Sequence, residues 1–186
     1  MIAALRRAAP WVFLGVACVG DLLTVRIEQE GSTLVEGGGV LGDVLSGLSL
    51  AGFDDLSISI DQELANQGVS DGDIASVYVV ELSLSTPDGP DLAFLDTLEI
   101  YASAPGLDTV RIAHLDDFPA GAMAVTMELD GVDLTGFVVA DSMTITTNAT
   151  GTLPEDDTTI DVFMAIDVEA TAAGACNAIE REKAAE

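Results

Sequence analysis

The sequence predicts an all-β fold, an antiparallel β-sandwich of about eight strands with immunoglobulin-like architecture and only short helical turns. Three observations predict it. Apolar residues recur at every second position in short runs rather than at helical spacing. Clusters of Gly, Pro, Asp and Asn interrupt those runs about every ten residues, which is the rhythm of sandwiches and barrels. No long helical pattern separates the runs, so the crossover helices of a parallel α/β sheet are missing.

The elements follow in order. Leu23-Thr24-Val25-Arg26-Ile27-Glu28 alternates cleanly, and Thr33-Leu34-Val35 continues it after a turn at Gly31. Gly37-Gly38-Gly39 reads as a flexible connector, because it lacks the lysine and the strand–helix setting of a phosphate loop. Val40 to Leu50, with Val40, Leu41, Val44, Leu45 and Leu48 apolar, predicts a short amphipathic helix weakened by Gly42 and Gly47. Leu56 to Asp61 is the next strand, Gln62 to Gln67 a single helical turn, and Ser70-Asp71-Gly72-Asp73 a loop.

Ser76 to Ser85 is a β-branched strand carrying Val77, Val79, Leu82 and Leu84, closed by the turn Pro87-Asp88-Gly89-Pro90. Leu92 to Asp96 reads as a brief helical turn before a strand at Thr97 to Ala102. Further strands are expected at Thr109 to Ala113, Ala122 to Leu129, Ser142 to Thr150 and Thr158 to Glu169. Asp130-Gly131 and Gly151-Thr152-Leu153-Pro154 supply turns between the last three.

With 186 residues, 49% of them hydrophobic, the chain can bury the core of one ordinary domain. Aromatic residues make up only 5%, so that core must come from Val, Leu, Ile, Ala and Met. Acidic residues outnumber basic ones 32 to 6, for a formal charge of −26. Such a surface repels phosphate backbones and anionic headgroups, which excludes nucleic acid as an expected partner. The composition can mean a salt-adapted surface, but it arises more often from a genome biased toward Ala, Gly, Asp and Val.

Targeting explains the first residues. Arg6 and Arg7 form a positive region, Ala8 to Ala17 an apolar stretch of 10 residues, and small residues lead into Cys18. As a helix that stretch spans about 15 Å, half a bilayer core, so it is too short to cross one. Leu14-Gly15-Val16-Ala17-Cys18 resembles a bacterial lipoprotein cleavage box, with Gly15 standing where that pattern has Leu. The resemblance implies cleavage before Cys18 and diacylation of its sulfur. Secretion after ordinary cleavage and an uncleaved apolar N-terminus are the alternatives.

The expected organisation is a signal peptide at 1–17, a lipid-attachment site and linker at 18–21, a sandwich domain at 22–171, and a flexible or helical tail at 172–186. Processing leaves 4 basic residues against 32 acidic ones. A lipidated Cys18 leaves Cys176 a lone thiol, and an unlipidated one could pair with it in an oxidising compartment.

Three stretches carry a wider resemblance: Glu63 to Gly68, Leu92 to Tyr101, and Val132-Asp133-Leu134 with Ser142 to Thr147. They look like exported bacterial β-sandwich lipoproteins of uncharacterised function. That resemblance implies a fold and a cell-envelope location, expected at the outer membrane, and no site residues.

Candidate chemistry is sparse. His114, the sole histidine, has no partner motif for nucleophilic catalysis and reads as a rim residue. Acid pairs at Asp54-Asp55, Asp116-Asp117 and Asp156-Asp157 could serve a hydrolase, but 32 acids make such pairs common by chance. Calcium is the one cofactor the loops suggest, through Asp71, Asp73, Asp116, Asp117, Glu155, Asp156 and Asp157, although no EF-hand spacing is present. Asn148-Ala149-Thr150 matches a glycosylation triplet. The expectation is therefore a lipid-anchored, non-enzymatic envelope protein, either a structural component or a binding module, that contacts a membrane through its lipid and a protein or glycan partner through its surface. A calcium-dependent adhesin-like sandwich and, more remotely, an acid-pair hydrolase are the alternatives.

Overall fold

The computed structural model describes residues 24–38, 64–66, 69–87, 89–140 and 143–171. The expected signal peptide, Cys18, Cys176, the tail, Asp54-Asp55, the helix at Val40 to Leu50 and the strand at Leu56 to Asp61 lie outside them. The described strands are β1 (Thr24–Val35), β2 (Ile74–Ser85), β3 (Leu95–Ser103), β4 (Val110–Leu115), β5 (Ala124–Thr126), β6 (Glu128–Leu129), β7 (Thr144–Gly151) and β8 (Thr158–Ala170). They form two antiparallel sheets, ordered β1-β8-β2-β5 and β6-β4-β3-β7. The protein is the all-β sandwich its sequence predicts.

Alternation builds the core. On β8, Ile160, Val162, Met164, Ile166, Val168 and Ala170 are buried, one at every second position, and Val25 and Ile27 of β1 pair directly with Val168 and Ile166. These join Leu98, Ile100, Ala102, Ile112 and Ala149 from the second sheet in one apolar cluster. Burying a side chain of this size is worth about 1.5–3 kcal/mol.

Bulges correct the phase where simple alternation fails. β2 buries Val77 and Val79, then Leu82 and Leu84, which have the opposite parity. A register shift against β8 between Val79 and Glu81 supplies the extra residue, Val80, which stands 38% exposed. β4 does the same opposite β3, so that adjacent Ile112 and Ala113 both point inward.

Several boundaries differ from expectation. Gly31 makes no turn: β1 runs through it in unbroken register, with Gly31 opposite Val162. The single strand expected over Ala122 to Leu129 is two, because the chain leaves one sheet after Thr126 and enters the other at Glu128. Buried Met127 sits at the crossing and donates its N–H to Leu82 O at 2.8 Å. The helical turn at Leu92 is confined to Leu92–Phe94, after which β3 begins two residues early. A short helix at Thr135–Val138 was not anticipated; it buries Phe137 and Val138.

Strand directions sort the loops between two ends. Thr24 of β1 pairs with Glu169, and Ile74 of β2 with Ala170, so β1 begins at the same end as the turn Asp71–Asp73. The loops after β2 and β4 and before β8 gather at the opposite end. Two contacts tie them there, Gly121 N–H to Asp91 Oδ2 at 2.7 Å and Gly37 N–H to Asp157 Oδ1 at 2.9 Å.

Candidate functional site

The calcium candidates do not converge. Asp71 and Asp73 occupy a 3-10 turn at one end of β2. Asp156 and Asp157 precede β8 at the other end, about 40 Å away along a strand of this length. Asp116 and Asp117 are exposed in the loop after β4. Several carboxylates are already engaged. Ser70 Oγ donates to Asp73 Oδ2, while Asp91 and Asp157 hold the loop glycines named above. An open depression of about 540 Å³ is lined by Asp91, Phe94, Glu155, Asp156 and Asp157. Even so, among the described residues no three His, Cys, Asp or Glu side chains are grouped to hold a metal ion.

The most organised polar constellation lies elsewhere, on the outer face of the second sheet. β3 presents Glu99 and Tyr101, β4 Arg111 and His114, and β7 Asn148, while Asp130 follows β6. Register places them: Glu99 sits between Asn148 and His114, and Tyr101 opposite Arg111. The Arg111 guanidinium bridges two carboxylates. Its Nη1 donates to Glu99 Oε1 at 3.0 Å, and its Nε and Nη2 donate to Asp130 Oδ2 and Oδ1 at 2.8 and 3.3 Å. Tyr101 Oη and Asn148 Nδ2 donate to Glu99 Oε2 at 3.0 and 3.1 Å.

These donors set the protonation states. The hydrogen bond from Arg111, helped by those from Tyr101 and Asn148, holds the Glu99 carboxyl below its ordinary range. Arg111 does the same to Asp130, and the Tyr101 hydroxyl is pushed up by donating to Glu99. A third carboxyl, Asp133, is lowered by Thr135, whose hydroxyl and N–H donate to Oδ1 at 2.6 and 2.9 Å. Val77 N–H reaches the same oxygen at 3.4 Å, so Asp133 fastens the short helix to β2.

His114 completes the cluster from its edge. Its Nδ1 lies 3.4 Å from Asp130 Oδ1 and its Nε2 3.7 Å from Glu128 Oε2. The Nδ1 contact misses hydrogen-bond geometry, leaving that buried atom without a partner. The side chain is 18% exposed, partly covered rather than a free rim residue. Asn148 is exposed, and its amide is committed to Glu99.

Sequence reasoning singled out His114 and Asn148 but not Glu99, Tyr101, Arg111 or Asp130. The available signal was the rarity of cations: an arginine inside a strand pattern of so acidic a chain needs carboxylate partners. No known protein family matches this chain, and no curated protein matches its sequence.

Proposed function

We propose that this chain is a lipid-anchored, non-enzymatic protein of the bacterial cell envelope, a sandwich that works by surface contact with a protein or glycan. The observation that carries the reading is the hydrogen-bonded network on the outer face of the second sheet, in which Arg111 bridges Glu99 and Asp130 and Tyr101 and Asn148 donate to Glu99. Glu99, Asp130 and Asp133 are each held as anions by fixed donors. A network whose acceptors are satisfied from three strands braces a sheet face and keeps its shape.

The geometry also suits a tether at Cys18. Residues 18 to 24 span at most about 20 Å, which keeps the first residues of β1 near the bilayer. The end that bears the turn Asp71–Asp73 then lies toward the bilayer, and the end with Asp91, Asp116, Asp117, Glu155, Asp156 and Asp157 lies away from it. Two acyl chains give stable attachment where one is marginal. Full-length chain expressed in a bacterium should enter the detergent phase on phase separation, and Cys18→Ser should leave it in the aqueous phase or unprocessed. Release of the wild type by osmotic shock alone would overturn the anchoring.

A further inference from the structure

The outer face of the first sheet carries an open groove of about 500 Å³ that the polar network does not touch. Register resolves it into cross-strand rows. One row is Glu30, Phe163 and Ser83; the next is Ser32, Asp161 and Ser85. The serines are short, so the Phe163 ring and the two carboxylates stand as walls over a low floor. A third row, Glu28, Ala165 and Glu81, lies beyond the groove and adds two carboxylates to the same face, with Ala165 buried between them. Arg26 is the one cation on this face among the described residues, and Asp167 engages it through Nε and Nη2 at 2.8 and 3.1 Å. Neither Glu30 nor Asp161 makes an ion pair among the described residues.

We propose that this groove is a docking site for an extended basic segment of a protein partner, with a lysine or arginine side chain laid over Phe163 between Glu30 and Asp161. Charge complementarity supports that occupant: the face is anionic, its own cation is spent, and the whole chain carries −26. Chemistry and spacing support it too. An aromatic face attracts a cation, and the methylene stem of lysine covers apolar floor while its ammonium reaches the carboxylates. Rows two residues apart repeat about every 6.8 Å, the spacing of alternate side chains in an extended peptide lying along the strands. The proposal rests on the surface-contact reading above and names the partner's chemistry.

The test uses full-length chain in neutral detergent micelles and an octalysine peptide, titrated by fluorescence anisotropy in 0.15 M NaCl. At that ionic strength the Debye length is about 8 Å, so diffuse attraction is screened and close contacts dominate. Replacing Glu30→Gln with Asp161→Asn should weaken binding about tenfold, while the charge-matched pair Asp116→Asn and Asp117→Asn should change it less than about twofold. Phe163→Leu, which keeps bulk and removes the ring, should cost about two- to fivefold. Equal weakening by the two charge-matched pairs, or no binding by the wild type, would overturn the proposal. Failure of the lipid anchor would appear as protein in the aqueous phase and would leave this affinity measurement intact.

Discussion

Residues 80 and 82 share a face in a regular strand, yet β2 separates them: Leu82 is 0% exposed and Val80 is 38% exposed. Truncating each to alanine measures that separation. Leu82 lies wholly inside the apolar cluster, and removing a buried leucine side chain costs about 2–5 kcal/mol through lost transfer energy and the cavity left behind. Val80 sits on the bulge with its side chain reaching solvent, so its truncation should cost less than about 1 kcal/mol. For a domain of this size each kcal/mol moves the melting temperature by about 2–4 °C. A mid-range loss of about 3 kcal/mol therefore lowers the melting temperature of Leu82→Ala by about 6–12 °C, against less than about 4 °C for Val80→Ala. Thermal melts followed by circular dichroism, with urea titrations to compare slopes, read both values. Equal losses at the two positions would mean that β2 keeps one phase throughout, and the bulge and the register after it would be wrong.

Other outcomes follow from the same geometry. Glu99, Asp130 and Asp133 have lowered folded-state pKa values, so their stabilisation is present above the unfolded carboxyl range near about 4 and is lost as pH falls through the folded values. Acid titration of the melting temperature should show that loss, and Glu99→Gln should flatten it; an unchanged acid limb would contradict the network. Gly151→Ala should destabilise by more than about 2 kcal/mol, because φ is +153° and a Cβ would meet the Phe94 carbonyl backbone; urea unfolding reads it. Added NaCl should raise the melting temperature by screening the acidic surface. Millimolar CaCl₂ and MgCl₂ at matched high ionic strength should then raise it equally, and a calcium-selective rise lost in Asp156→Asn with Asp157→Asn would favour the adhesin-like alternative.

Much of the fold was legible in the sequence because strand alternation is a local signal. Val25 and Ile27, Leu98 and Ile100, and Ile160 to Val168 announce their faces by position alone. What escaped depends on partners far along the chain. Gly31 looks like a turn until β8 pairs across it, and Ala122 to Leu129 looks like one strand until the two sheets claim its halves. Asp133 hides its role for the same reason, since Val77, 56 residues away, completes its contacts. The Glu99–Arg111–Asp130 constellation joins three positions separated by 12 and 19 residues, and only the registers of β3 with β4 and of β4 with β6 show that they meet.

The intact mass of the full-length chain recovered from bacterial membranes tests the proposed surface-contact sandwich held to a bilayer through Cys18. The expected species is a polypeptide beginning at Cys18, heavier than its sequence by a diacylglyceryl group, with no such species from Cys18→Ser. A wild-type chain that retains residues 1–17, or that begins near residue 18 without added lipid mass, would contradict it.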